Sequence, residues 1–198
     1  MITLFHRPKT RSSRFVFLLE ELGAPYELKT VTTLSADGAG ARDPANPHPH
    51  GKVPAIMDDG ALVFESSAIA LYLTDKYPAN GIGPLVGDPT RGAYLSWLAY
   101  YCGVMEPAWT MQFAKVELPP GFPGWPPAPQ VMDYTMGVLE AGPYILGDRF
   151  SAADILIGTT FAMFMGGPTL PKTPLLEAYV KRVVERPAYA KAMAKAGD

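Results

Sequence analysis

The stretch HGKVPAIMDDGALVFESSAIALYL (His50–Leu73) decides how this chain folds. Two short apolar runs, PAIM (54–57) and LVF (62–64), flank the turn DDG (58–60). Asp59-Gly60 is a dipeptide of two-residue hairpins, because both positions tolerate positive φ. The first strand opens on Val53-Pro54. Proline cannot donate to a sheet ladder, so at a strand's mouth it marks an edge, a turn or a cis bond. The second strand runs straight into Glu65-Ser66 at the start of an apolar-rich helix (66–77) that Pro78 ends. A hydroxyl at a helix N-terminus, where free amides and the helix dipole favour anions, suits a carboxylate. Taken singly, Val53-Pro54 reads as an edge-strand start and Glu65-Ser66 as a plain helix cap. Their adjacency points to a small carboxylate-bearing ligand lying between the strand edge and the helix start.

Working outward, ITLF (2–5) is a brief β-rich run stopped by Pro8. SSRFVFLLEELG (12–23) reads as a helix, with apolar residues at 15, 18, 19 and 22 and a terminating Gly23. YELKTV (26–31) alternates like a strand, so the chain opens β-α-β, and parallel pairing of the two strands requires the crossover. The polar stretch 35–50 has room only for a short helix. The predicted order over residues 1–78 is therefore βαβαββα, a small mixed sheet with helices on it.

After Pro78 the composition changes. PANGIGPLVGDP (78–89) holds three prolines and three glycines and reads as a linker, placed at 79–89. Beyond it no strand is predicted. A helical pattern runs from Thr90 to about Lys115, interrupted near Gly103 and Pro107. LPPGFPGWPPAPQ (118–130) carries six prolines and excludes regular helix. Helical pieces resume at 131–141, 151–165, 174–185 and 188–196, so residues 90–198 form an all-helical second domain. Ser151 and Asp154 have the spacing of a capping box ahead of ILIG.

Composition excludes several classes. Of 198 residues, 48% are apolar and 18% charged, enough for a packed core rather than a disordered chain. With a net charge of −2 and no Lys/Arg block, no phosphate-tracking surface is expected, hence no nucleic-acid partner. No apolar run approaches the roughly 20 residues of a membrane helix. The opening MITLFHRP lacks the pattern of a secretory leader. The single Cys102 cannot form an internal disulfide, which fits a cytoplasmic location. Cys102 itself reads as a small buried hydrophobe. His6, His48 and His50 lack acid or cysteine companions at ligand spacing and predict no metal; His48 and His50 read as exposed loop residues.

Four pieces, in order, resemble the cytosolic glutathione transferase family, in particular bacterial-type members with a Ser/Thr-type catalytic loop. They are KTRSSRFVFLLEELGAPYEL (9–28), NPHPHGKVPAI (46–56), LVFESSAIALYL (62–73) and ILGDRFSAADILIG (145–158). The second carries an extra His-Pro within the family's usual Asn-Pro-x-Gly-Lys-Val-Pro. The resemblance covers nearly the whole chain. It implies a thioredoxin-like α/β N-terminal domain that binds glutathione, followed by the all-α domain: the GST fold. It also implies a homodimer.

The resemblance further implies that Pro54 is cis and that Val53 pairs with the cysteinyl peptide of glutathione. Ser66 would meet the γ-glutamyl carboxylate, Glu65 its ammonium and Lys52 the glycine carboxylate. In the loop KTRSSR (9–14), Thr10 stands where a catalytic serine is expected, and Ser12 is the second candidate for activating the thiol. Arg11 adds positive potential there or is a solvated loop arginine. Ser12 or Ser13 serves as helix N-cap, with Ser13 the preferred reading. No cysteine lies near the N-terminus, and Tyr26, the first tyrosine, lies in a strand; cysteine- and tyrosine-type members are thereby disfavoured. In AYYCGVMEPAWTMQF (99–113) the residues Tyr100, Tyr101, Met105, Trp109 and Phe113 recur at helical intervals, as ordinary core or as the lining of a hydrophobic substrate pocket, for which Tyr101, Met105 and Trp109 are the candidates. Phe122 and Trp125 of the proline-rich insert would rim that pocket. The expected function is conjugation of glutathione to a small hydrophobic electrophile, with glutathione as cosubstrate and no metal. The alternatives are a glutathione-dependent disulfide reductase or peroxidase, and a non-catalytic binding module on the same fold.

Overall fold

In the computed structural model, which describes every residue except 36–37, 120 and 168–169, strand β1 (Ile2–His6) is the organising element. It pairs in parallel with β2 (Tyr26–Thr30) on one side and antiparallel with β3 (Ala55–Asp58) on the other. β4 (Ala61–Phe64) extends the sheet beyond β3, giving the order β2-β1-β3-β4. The β3–β4 turn has Asp59 at φ 47 and Gly60 at φ 88, both left-handed, as the dipeptide demands.

Helix α1 (Ser13–Leu22) supplies the β1–β2 crossover and ends at Gly23, whose φ of 61 closes the last turn. α2 (Ser66–Lys76) follows β4 directly. The short helix expected between β2 and β3 is not formed among the described residues. Pro44, Pro47 and Pro49 interrupt that stretch, and Gly38, Gly40 and Gly51 adopt left-handed φ there.

The chain divides into two compact units: Met1–Asn80 with Glu185–Asp198, and Gly81–Val184. The sequence reading ran the second domain to residue 198, but the last helix, α8 (Pro187–Ala196), packs with the first unit, against α1. Tyr189 sets its ring edge-on to Phe17 at 5.3 Å. The Arg186 guanidinium grips both Glu21 oxygens at 2.7 and 2.9 Å. Lys195 pairs with Glu20 at 2.5 Å.

In the second unit α3 (Arg91–Tyr100) passes through a π-helical segment (Tyr101–Met105) into α4 (Glu106–Ala114), locating the interruption expected near Gly103. α5 (Ala128–Ala141) and α7 (Pro174–Val184) accompany α6 (Ala152–Phe164), which is buried along most of its length. Gly158 of α6 permits close approach to α7, since a Cβ there would lie 2.7 Å from a Val183 methyl. The Ser151–Asp154 capping box is formed. Asp154 also accepts from Ile145 N–H at 2.8 Å and the Tyr179 hydroxyl at 3.1 Å. Burial pushes its carboxyl up to about 6, against the pull of these donors.

Candidate functional site

Strand register brings three segments to one end of the first unit's sheet. Ala55 lies opposite Phe64, so Val53-Pro54, just before β3, and Glu65-Ser66, just after β4, leave the ladder side by side. Phe5 lies opposite Ala55, so β1 delivers His6 and the loop 7–12 to the same end.

The Val53-Pro54 peptide bond is cis, and Pro54 is buried. The ladder begins at Ala55, which leaves the Val53 peptide groups outside it. Lys52 is exposed, and its carbonyl accepts from the buried Asn46 amide at 3.0 Å. Asn46 in turn accepts the His48 N–H at 3.0 Å. His48, expected to be exposed, is buried, with its ring edge-on to Phe64 at 5.3 Å. Its Nδ1 accepts the His50 N–H at 3.1 Å. The extra His-Pro thus shapes the loop that carries Lys52 and Val53. Burial lowers the His48 pKa, while the Glu65 carboxylate acts in the opposite direction.

Glu65 holds φ 71 and ψ 131, a conformation that costs a non-glycine residue about 1–3 kcal/mol. It occupies the cap position of α2, and its carbonyl accepts the Ile69 N–H at 2.9 Å, but its side chain makes no cap bond. Ser66, buried at the first helical position, has no side-chain hydrogen-bond partner among the described residues.

In the 7–12 loop, burial separates the two hydroxyl candidates. Thr10 is half-buried and Arg11 exposed, whereas Ser12 is fully buried and cannot touch a ligand. Ser12 Oγ lies 2.7 Å from Thr10 Oγ1 and 2.8 Å from His6 Nδ1, and accepts the Arg7 N–H at 3.1 Å. Ser12 occupies the N-cap position of α1, yet its oxygen is committed to these partners and caps nothing. Ser13, the preferred cap on sequence grounds, is already helical, and its buried hydroxyl has no partner among the described residues. His6, in the sequence only a histidine without metal-ligand companions, lies beside this loop. It is fully buried, and its Nε2 lies 2.9 Å from the Ala196 carbonyl at the end of α8.

The second unit buries the three pocket candidates. Tyr101 and Met105 are fully buried and Trp109 nearly so. The Tyr101 hydroxyl is 2.5 Å from Glu106 and 2.9 Å from Thr160, and Trp109 packs on Phe161. These side chains are committed to the core of their own unit. A cavity of about 910 Å³ in this unit is lined instead by Met111, Gln112, Val116, Leu118 and Trp125, among others. Phe122 is exposed and is not part of its lining, and Pro120 of the same stretch lies outside the described residues. Cys102, expected to be buried, is half-buried. Among the described residues no group of three or more His, Cys, Asp or Glu is placed to hold a metal ion, and no helix is long and apolar enough to cross a membrane.

Residues 1–75 match the family model of the glutathione S-transferase N-terminal domain, and residues 128–187 that of its C-terminal domain. A solved glutathione transferase from Methylococcus capsulatus is 31% identical, with a TM-score of 0.75 over 100% of this chain and 99% of that one. Glutathione S-transferase GstA of Escherichia coli O157:H7 is 26% identical across 98% of both chains. A sphingomonad glutathione S-transferase, solved in complex with glutathione, is 26% identical, with a TM-score of 0.72 over 98% of each chain.

Proposed function

The chain belongs to the glutathione S-transferase family and is a glutathione transferase, and from that premise we propose that glutathione lies across the end of the first unit's sheet with its thiolate held by Thr10. The observation that carries this reading is the register that gathers Val53, Ser66 and the Thr10 loop at one sheet end.

The Val53 peptide groups, left outside the ladder, suit the cysteinyl peptide of the ligand as an added strand would. Ser66 offers a hydroxyl and a first-turn amide to the γ-glutamyl carboxylate, at the positive end of α2. Glu65 faces the ligand's ammonium, and Lys52 reaches for the glycine carboxylate. A free thiol has a pKa of about 8.5, so lowering it by about two units takes ~2.7 kcal/mol of differential stabilisation. The Thr10 hydroxyl supplies part of this as a hydrogen-bond donor to sulfur, with Arg11 adding positive potential. The chemistry is attack of that thiolate on a small apolar electrophile; the nucleophile belongs to glutathione, and the protein positions and ionises it. The same family reading gives a homodimer and a cytoplasmic location.

Calorimetric titration with glutathione tests the placement. Ser66→Ala weakens binding about tenfold or more, because a charged carboxylate loses a donor. An unchanged Kd contradicts it.

A further inference from the structure

We propose that His6 is the acceptor of the glutathione thiol proton, reached through the hydroxyls of Thr10 and Ser12; this rests on the reading that the thiol docks at Thr10. The four groups form one continuous chain. Thr10 Oγ1 and Ser12 Oγ are 2.7 Å apart, Ser12 Oγ and His6 Nδ1 2.8 Å, and His6 Nε2 and the Ala196 carbonyl oxygen 2.9 Å.

The far end of the chain fixes its direction. A carbonyl only accepts, so Nε2 carries a proton and donates it to Ala196. In the neutral ring, Nδ1 is then the lone-pair nitrogen, and it faces Ser12. In the relay Ser12 donates to Nδ1 and Thr10 to Ser12, each hydroxyl turning there from the Arg7 carbonyl, which accepts from Thr10 at 2.7 Å and from Ser12 at 3.1 Å; Thr10 is left with a lone pair for an incoming S–H. Thr10 is the member of the chain with access to solvent; Ser12 and His6 are fully buried.

Proton transfer along this chain balances without any further reactant. The S–H bond breaks and its proton passes to Thr10 Oγ1. The Thr10 proton passes to Ser12 Oγ, and the Ser12 proton to His6 Nδ1. A neutral thiol and a neutral imidazole become a thiolate and an imidazolium, and both hydroxyls end with one hydrogen each, now turned toward the sulfur. Each bond in the product state is made: imidazolium to Ser12, Ser12 to Thr10, Thr10 to S⁻. The resulting cation has an acceptor at each ring nitrogen and sits at the carbonyl end of α8, where the helix dipole favours positive charge. Among the charged groups on the surrounding elements are Arg7, Arg14, Lys195 and Asp198, with Lys9 and Arg11 exposed on the loop itself. Arg7 is directed to Thr33 and Ser35, Lys195 to Glu20, and Asp198 accepts the Lys9 N–H; Arg14 is buried in α1.

The test counts protons. Glutathione is titrated into the protein near neutral pH in buffers of different ionisation enthalpy, and the ultraviolet absorbance of bound thiolate is read in parallel. The expected result for the unaltered protein is thiolate formation with close to zero protons released to the buffer. Ser12→Ala, which interrupts the chain, releases about one proton per thiolate formed, and Ser12→Thr restores internal capture. His6→Asn accepts a hydrogen bond but no proton; it gives full release and serves if Ser12→Ala does not fold. Thiolate formation with about one proton released by the unaltered protein overturns the relay while leaving the glutathione site intact. So does a Ser12→Ala protein that behaves like the parent. Absence of binding, or binding without thiolate, overturns the docking at Thr10 and the relay with it.

Discussion

Thr10 and Ser12 stand two residues apart with the same functional group, and only their surroundings assign them different work. The sequence marks both as candidates, because a turn before a helix exposes no periodicity by which to tell the inner hydroxyl from the outer. Burial does: Ser12 is sealed beneath the loop and Thr10 is not. His6 was illegible for a related reason. A lone histidine at a strand end carries no motif, and its partner Ala196 lies 190 positions away. His48 was misread because a proline-rich loop usually runs exposed, whereas this one folds over its own side chains. A pH dependence follows from it. Burial lowers the folded-state pKa below the unfolded value of about 6.5. The unfolded chain therefore takes up the proton first, and stability is lost as pH falls below that value. Between about pH 7 and about pH 5.5 the melting temperature of the parent protein is expected to fall more steeply than that of His48→Gln. Parallel slopes in thermal melts would count against this role.

At the scale of elements, most of the fold is legible because local chemistry and tertiary use agree. Asp59-Gly60 makes its hairpin, Gly23 closes α1, and Ser151 with Asp154 caps α6. Where they disagree, a competing interaction is the cause. Ser12 leaves the α1 cap for Thr10 and His6, and Glu65 adopts a strained backbone angle that no residue pattern announces. Of the Met/aromatic stripe, Tyr101, Met105 and Trp109 are buried, Tyr100 is half-buried and Phe113 exposed, a distinction that helical spacing alone does not carry. Asp154 belongs wholly to structure. Asp154→Ala strands four buried donors, the N–H and hydroxyl of Ser151, the Ile145 N–H and the Tyr179 hydroxyl, and is expected to destabilise the protein by about 3–5 kcal/mol. Chemical denaturation reads the loss, and glutathione affinity below the transition stays at the parent value. An Asp154→Ala protein of parental stability that has lost glutathione binding would reverse the assignment.

At the scale of the whole molecule, the α/β first unit and the helical second unit follow from where strands stop being predicted, after the Pro/Gly-rich segment at 78–89. The ownership of α8 did not follow. Its signal lay in α1, where Val16 and Phe17 fall outside the apolar stripe of Phe15, Leu18, Leu19 and Leu22 yet are fully buried. A helix apolar around its circumference is covered on more than one side, and α8 is the second cover. Residues 187–196 are thereby tied to β1 and α1, and the Ala196 carbonyl is held against the buried His6. The claim on which the functional account stands is that Thr10 holds glutathione as a thiolate at that sheet end. The direct measurement is the ultraviolet thiolate absorbance of glutathione bound to the parent protein and to Thr10→Val at matched occupancy near neutral pH. The account predicts mostly thiolate on the parent and mostly thiol on Thr10→Val, with kcat/KM reduced about 10- to 100-fold for a lost donor to a charged group. Equal thiolate fractions in the two proteins, or none on the parent, would contradict it.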